Sequence, residues 1–159
     1  MSADPKDALR ALAAQLREED TPISRHVVEP ADEPVLGLLA ARGPKATQAP
    51  GEYAFVVEAV REGYLLHYGQ SRLLRGHDDD LALLAGDYLY ALGLERLAAL
   101  GDDAAVAKLA ETIGRSAQLH AEGRGGEAPE LWHATALAIG GEGRGDAESI
   151  DCKLPEASC

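Results

Sequence analysis

The sequence contains three consecutive aspartates, Asp78, Asp79 and Asp80, directly before a long apolar segment. Mg²⁺ takes oxygen ligands and keeps several waters, so a carboxylate cluster facing a diphosphate would form a workable site. On a helix, however, acids share a face only when they are three or four positions apart, and three adjacent aspartates fan out around the axis. We therefore predict that they cap a helix and remain solvated, and they stay weak candidates for a metal site.

Asp87 is a single acid inside the apolar run LALLAGDYLYALGL. An ionised carboxylate in apolar surroundings is costly without a partner. We therefore expect Asp87 to be buried and hydrogen-bonded to a neighbouring helix, with an acid that faces a polar cavity as the alternative. Gly86 beside it has no side chain and allows another backbone to approach closely.

The histidines form no catalytic or metal-binding set in the sequence. His67, in YLLHYG, is expected at the C-terminus of a helix, where it would interact favourably with the helix dipole. His77, His120 and His133 lack the short spacings of metal ligands. The chain also contains no nucleophile elbow, P-loop or dinucleotide fingerprint. The residues by themselves therefore predict no catalytic centre and no cofactor bound by this chain alone.

Segments with helical periodicity must position these residues. We predict helices over residues 5–19, 35–41, 52–68, 78–100, 104–122 and 129–139, with Gly69 and Gly101 as helix ends. No convincing strand or repeat is present, so the predicted fold class is an all-α helical bundle. Residues 1–50 are predicted to hold an N-terminal helix and a proline-rich connector, 51–140 the helical core, and 141–159 a flexible, glycine-rich acidic tail.

The net charge of the chain disfavours some classes of partner. It carries 27 acidic and 15 basic side chains, a formal net charge of −12, which disfavours binding to nucleic acid or to anionic lipid. The N-terminus lacks the apolar core of a signal peptide and no run approaches bilayer length, so we expect a cytoplasmic protein without a membrane span. Cys152 and Cys159 lack the two further ligands of a zinc site and are expected to be free thiols.

The middle of the chain resembles the trans-polyprenyl diphosphate synthases. Residues 83–123, LLAGDYLYALGLERLAALGDDAAVAKLAETIGRSAQLHAEG, are similar to two successive family elements, LAGDxLLAxAxELLA and GD..xVxxLAxxIxxLxEGE. The helix ending in LLHYGQSRL resembles the family helix that ends in a His-Asp-Asp-x-x-Asp motif. PELWHATALAIGG is more weakly similar to the following helix, with His133, Ala134 and Thr135 where the family has a lysine–threonine pair. The resemblance implies part of the isoprenoid synthase fold.

The chain departs from this family at the residues that bind metal. If His67 matches the motif histidine, Tyr68 and Gly69 replace the first two aspartates and Arg72 replaces the third. The connector that follows is short, and the second aspartate-rich motif lies beyond the part of the family that is matched. Ionising an allylic diphosphate requires Mg²⁺ to neutralise the leaving group, so this chain is predicted not to be catalytic on its own.

The resemblance points to the small degenerate subunits of heteromeric heptaprenyl diphosphate synthases, component 1 of that complex. Such a subunit pairs with a full-length catalytic subunit that holds Mg²⁺, and we expect a hetero- or homo-oligomer. The predicted partner-surface or prenyl-tunnel residues are Tyr64, Tyr68, Leu84, Asp87, Tyr88, Tyr90 and Leu92, with ordinary packing as the alternative for the tyrosines. The predicted core or partner surface consists of Val56, Val60, Leu84, Tyr88, Leu92, Val106, Leu109 and Ile113.

Two other functions remain open at this stage. The chain could be a helical adaptor or accessory subunit of an unrelated assembly, with its glycine-rich tail as a docking peptide. It could also be a small Mg²⁺-dependent enzyme of diphosphate chemistry, in which Asp78 or Asp87 would bind the metal.

Overall fold

The computed structural model describes residues 4–141 and confirms the predicted all-α class. Within these residues the helices are α1 (Ala8–Glu18), α2 (Val35–Ala41), α3 (Pro50–Tyr68), α4 (Asp79–Ala99), α5 (Asp103–Ala121) and α6 (Ala128–Gly140). Each corresponds to a predicted helix. The described part contains no strand, and Val27 and Leu74 form an isolated antiparallel bridge. The predicted tail, with Cys152 and Cys159, lies outside the described residues except for Gly141.

Helix α3 lies at the centre of the bundle because most of its residues are apolar. A helix that is apolar all round must be buried, and most residues of α3 are buried, from Gly51 to Leu66. The other five helices all contact α3, and its contact with α4 is the most extensive. The central helix therefore carries residues that face several different neighbours.

The core consists of two groups of apolar side chains on either side of α3. One joins Leu9, Leu12 and Leu16 of α1 to Phe55 of α3 and Leu89 of α4. The other joins α3 to α2, α4, α5 and α6, and its members include Ala40, Val56, Val60, Leu97, Leu109, Trp132 and Ile139. The helices of the first predicted segment, α1 and α2, thus pack directly against the helical core.

Acidic side chains cap α4 and α5. The Asp78 carboxylate accepts a hydrogen bond of 2.8 Å from the Leu81 amide, and Asp102 accepts one of 3.1 Å from the Ala105 amide. Asp79 and Asp80 lie in the first turn of α4. Negative charge at a helix N-terminus complements the helix dipole, so the predicted capping role of the aspartates is confirmed.

Glycines bring α3 and α4 into close contact. A Cβ atom on Gly86 would lie 2.3 Å from Cδ2 of His67 and 3.0 Å from the carbonyl oxygen of Gly63. A Cβ atom on Gly93 would lie 2.4 Å from Cγ2 of Val60. The expected close approach at Gly86 is therefore present, and Gly93 extends it by two helical turns.

We expect Gly93→Ala to lower the free energy of unfolding by about 1–3 kcal/mol, because the added methyl group overpacks a contact with the stiff, fully buried Val60. Urea denaturation followed by circular dichroism measures this change. Gly114→Ala in α5 is the control, because a methyl group at this position would extend into open space and alanine favours the helix. An equal effect of the two substitutions would contradict the close packing of α3 and α4.

Candidate functional site

The first half of α4 exposes a group of large apolar side chains. Leu83, Leu84 and Tyr88 expose 54%, 63% and 36% of their surface. A cavity of about 400 Å³ with almost wholly apolar walls lies between this helix and the turn that follows α1. It is lined by Thr21, Pro22, Ile23, Leu81, Leu84, Asp87 and Tyr88. Three predicted site residues, Leu84, Asp87 and Tyr88, therefore come together at one surface.

A second cavity of about 430 Å³ continues this space towards the N-terminus of α4. The two cavities share Pro22, Leu81 and Leu84, and the second adds Arg25, His26, Gly76, Asp78 and Asp80. We call the combined space the α4 groove. It has an apolar section beside Tyr88 and a polar end beside the helix cap.

Asp87 is not buried, so that prediction was wrong. Its side chain is 72% exposed, and its Oδ1 atom lies 3.3 Å from Nε2 of His67. Gly86 faces α3, and the next residue is rotated by about 100° around the helix, which turns Asp87 towards solvent. His67 lies in the last turn of α3, as expected, but its Nε2 atom reaches α4, 3.1 Å from the Leu83 carbonyl oxygen.

The four candidate tyrosines occupy two separate places. Tyr64 and Tyr68 lie around His120: the Tyr64 hydroxyl is 2.7 Å from Nε2 of His120, and the ring of Tyr68 stacks on the imidazole at 4.3 Å. Tyr90 packs edge-on against His67, with 5.2 Å between ring centres. These contacts form an aromatic cluster at the end of α3. The prenyl-tunnel role of these residues stays a prediction.

Tyr88 lies apart from that cluster, in the α4 groove. Its hydroxyl donates a 2.7 Å hydrogen bond to Glu19 at the end of α1. Partial burial, together with this bond to a carboxylate, raises the pKa of Tyr88 to about 12. The hydroxyl therefore stays protonated at neutral pH and anchors α1 to α4 along the groove.

Leu92 is a core residue and not a surface one. It is 9% exposed and packs with the leucines of α1. Of the other predicted core positions, Val56, Val60 and Leu109 are fully buried, and Val106 and Ile113 are partly buried against the same core. Leu84 and Tyr88 belong to the surface.

Arg72 is held by two carboxylates from α3. Its Nη1 atom donates to Oε1 of Glu58 at 2.8 Å, and its Nε atom donates to Oε1 of Glu62 at 2.9 Å. Both glutamates are completely buried. Burial lowers the pKa of the Arg72 guanidinium, but the two carboxylates outweigh it and the pKa is raised. Arg72 is therefore a cation that is bound to the core of its own chain.

Glu62 also organises the backbone that follows Gly69. Its carboxylate accepts hydrogen bonds from the Arg72 amide at 2.9 Å, the Leu73 amide at 3.3 Å and the hydroxyl of Ser71. Glu58 accepts a further 2.8 Å bond from the Gly37 amide of α2. The segment that follows Gly69 is thus a loop that buried carboxylates attach to α3.

Sequence reasoning missed Glu58 and Glu62, although a signal was present. The two acids lie four positions apart in a helix that is mostly apolar. This spacing puts both carboxylates on one face, and carboxylates in a buried helix require a cationic partner. Arg72, ten residues after Glu62, is that partner.

Metal-binding geometry is absent from residues 4–141, where no three His, Cys, Asp or Glu side chains are arranged to hold an ion. Asp78 uses its carboxylate to cap α4, and Asp79 and Asp80 follow it in the first turn of that helix. No helix in the same residues is long and apolar enough to cross a membrane.

Comparisons of the chain with protein-family models, curated proteins and solved structures gave no significant match. The resemblance to the polyprenyl diphosphate synthases therefore rests on the sequence pattern alone. In the described part of the chain, the two fully buried glutamates are paired with Arg72, and the apolar surface of α4 is open. That arrangement suits the binding of another molecule.

Proposed function

We propose that this chain is a non-catalytic helical subunit that binds a full-length polyprenyl diphosphate synthase in the cytoplasm and supports its activity or sets its product length. The observation that carries the proposal is the α4 groove, where the exposed side chains of Leu84 and Tyr88 line an apolar cavity. An apolar surface of this kind, bordered by polar residues, is typical of a protein interaction site.

The choice of partner rests on the sequence pattern of α4. LLAGDY, which contributes Leu84, Asp87 and Tyr88 to the groove, is also the stretch that is similar to the synthases. Arg72, in place of a motif aspartate, is bound to Glu58 and Glu62. In the proposed complex Mg²⁺ and the allylic diphosphate belong to the catalytic subunit.

The proposal predicts a stable complex with the synthase of the same host. Equimolar mixing should shift both proteins to a larger common species in size-exclusion chromatography with light scattering. Prenyl transfer by the synthase should increase, or its product length should change, when the chain is added. The matched control is an equal amount of an unrelated acidic helical protein.

Absence of both the complex and the change in activity would contradict a synthase subunit. Recovery of a different, stoichiometric partner from the native host would instead identify the chain as an adaptor of an unrelated assembly. The α4 groove serves either function, because both require an exposed docking surface.

A further inference from the structure

We infer that the α4 groove takes an amphipathic helix of the partner, with lysine or arginine side chains flanking its apolar face. This inference deepens the proposed function and rests on it. It names the chemistry that the partner must present, and it follows from the charges, the shape and the apolar floor of the groove.

Acidic side chains surround the apolar section of the groove. Asp87 lines it directly and is 72% exposed. Glu19 reaches it through the Tyr88 hydroxyl, and Asp20 adjoins the lining residue Thr21. Asp80 lines the polar end, where Arg25 and His26 are the neighbouring basic groups. A partner with cationic flanks would complement these acids and would be steered towards the groove.

Charge argues against two occupants that come from this chain itself, a second copy of the chain and its own residues 142–159. A second copy would bring its own acids to the same groove, and like charges placed together at an interface are costly. Residues 142–159 carry five acidic side chains, Glu142, Asp146, Glu148, Asp151 and Glu156, against Arg144 and Lys153. That segment has the same sign of charge as the groove.

The walls of the groove favour a helix over an extended segment. They consist of α4 side chains and the turn of residues 21–23, and residues 4–141 offer no strand beside which a peptide could pair. An extended segment on this surface would leave backbone groups without partners, whereas a helix satisfies its own. Apolar residues at helical spacing would then contact Leu81, Leu84 and Tyr88.

The test uses the full-length chain and two fluorescein-labelled helical peptides. One peptide combines leucine with lysine and the other combines leucine with glutamate, in the same amphipathic pattern. Fluorescence anisotropy measures binding at low salt and at about 0.5 M salt, where exposed charges are strongly screened. We expect the leucine–lysine peptide to bind at low salt and its affinity to fall at high salt. The leucine–glutamate peptide should not bind at either salt concentration.

Two pairs of variants assign this binding to the groove. Leu84→Asp should lower the affinity for the leucine–lysine peptide by about tenfold or more, because it removes an apolar anchor. This loss is expected although the substitution adds negative charge. Val35→Asp is the control: Val35 is 58% exposed, against 63% for Leu84, and lies on α2. Asp87→Lys should lower the affinity for the same peptide, whereas Glu111→Lys on the exposed face of α5 should leave it unchanged.

Equal binding by Leu84→Asp and Val35→Asp would overturn the inference, because it would show attraction to overall charge. Concentration-dependent self-association that Leu84→Asp abolishes would overturn it in favour of a second copy. If the synthase binds the chain and Leu84→Asp leaves that complex intact, the subunit function stands and the groove inference falls. If the leucine–lysine peptide binds as expected but the synthase does not, the groove inference stands and the synthase is not the partner.

Discussion

Arg72→Met is expected to lower the free energy of unfolding by about 3–5 kcal/mol, because it leaves two buried carboxylates without their cation. Glu58 is fully buried at 2.8 Å from the guanidinium, and Glu62 is fully buried at 2.9 Å. Methionine fills a similar volume, so lost packing contributes little to the change. Urea denaturation of the wild type and the variant at the same pH measures the difference.

A charge-neutral variant separates an electrostatic loss from a packing loss. The triple variant Glu58→Gln, Glu62→Gln and Arg72→Met removes the charges together and should recover part of the lost stability. A loss of stability in the triple variant that equals the loss in Arg72→Met would contradict the buried ion-pair network.

Trp132→Ala should be the most destabilising packing change, at about 3–5 kcal/mol, because it opens a large cavity in the core. Trp132 is 1% exposed and lies in the group of side chains that joins α6 to α3. Its ring centre is 5.4 Å from that of Tyr64, and the Arg61 guanidinium lies 5.6 Å from it. Circular dichroism during thermal and urea unfolding measures how far the variant's free energy of unfolding falls below that of the wild type.

Trp132→Phe is the matched control, because it keeps an aromatic ring beside Arg61 and should lose clearly less stability than the alanine variant. Burial lowers the pKa of Arg61, and so does the nearby charge of Arg72. The guanidinium lies 5.0 Å from the ring centre of Tyr64 and 5.6 Å from that of Trp132, so both rings give it favourable contacts. Equal stability of the alanine and phenylalanine variants would show that the ring at position 132 does not support the contact between α3 and α6.

Local sequence features predicted the helices well because helix formation depends on near neighbours. Apolar periodicity placed α1, α3 and α5. Asp78 and Asp102 were suitable caps, and Gly101 adopts the positive φ of 81° that glycine tolerates at a helix end. The close approach at Gly86 was likewise predictable, since a glycine inside an apolar helix indicates a backbone contact.

The candidate site was less predictable, because its contacts join residues that are distant in the chain. Leu84 and Tyr88 were singled out from α4, but the opposite wall of the groove comes from Pro22 and Ile23, more than fifty residues earlier. A periodic pattern on one helix indicates which face is apolar. It does not indicate whether a neighbouring element covers that face.

Local sequence features predicted the all-α class and the helix ends beside Gly69 and Gly101. The exposure of Asp87, the binding of Arg72 by Glu58 and Glu62, and the open groove beside Leu84 follow from the tertiary structure. The two kinds of feature differ because capping and periodicity act within one or two helical turns, whereas burial and ion pairing depend on how α3, α4 and the turn after α1 pack together.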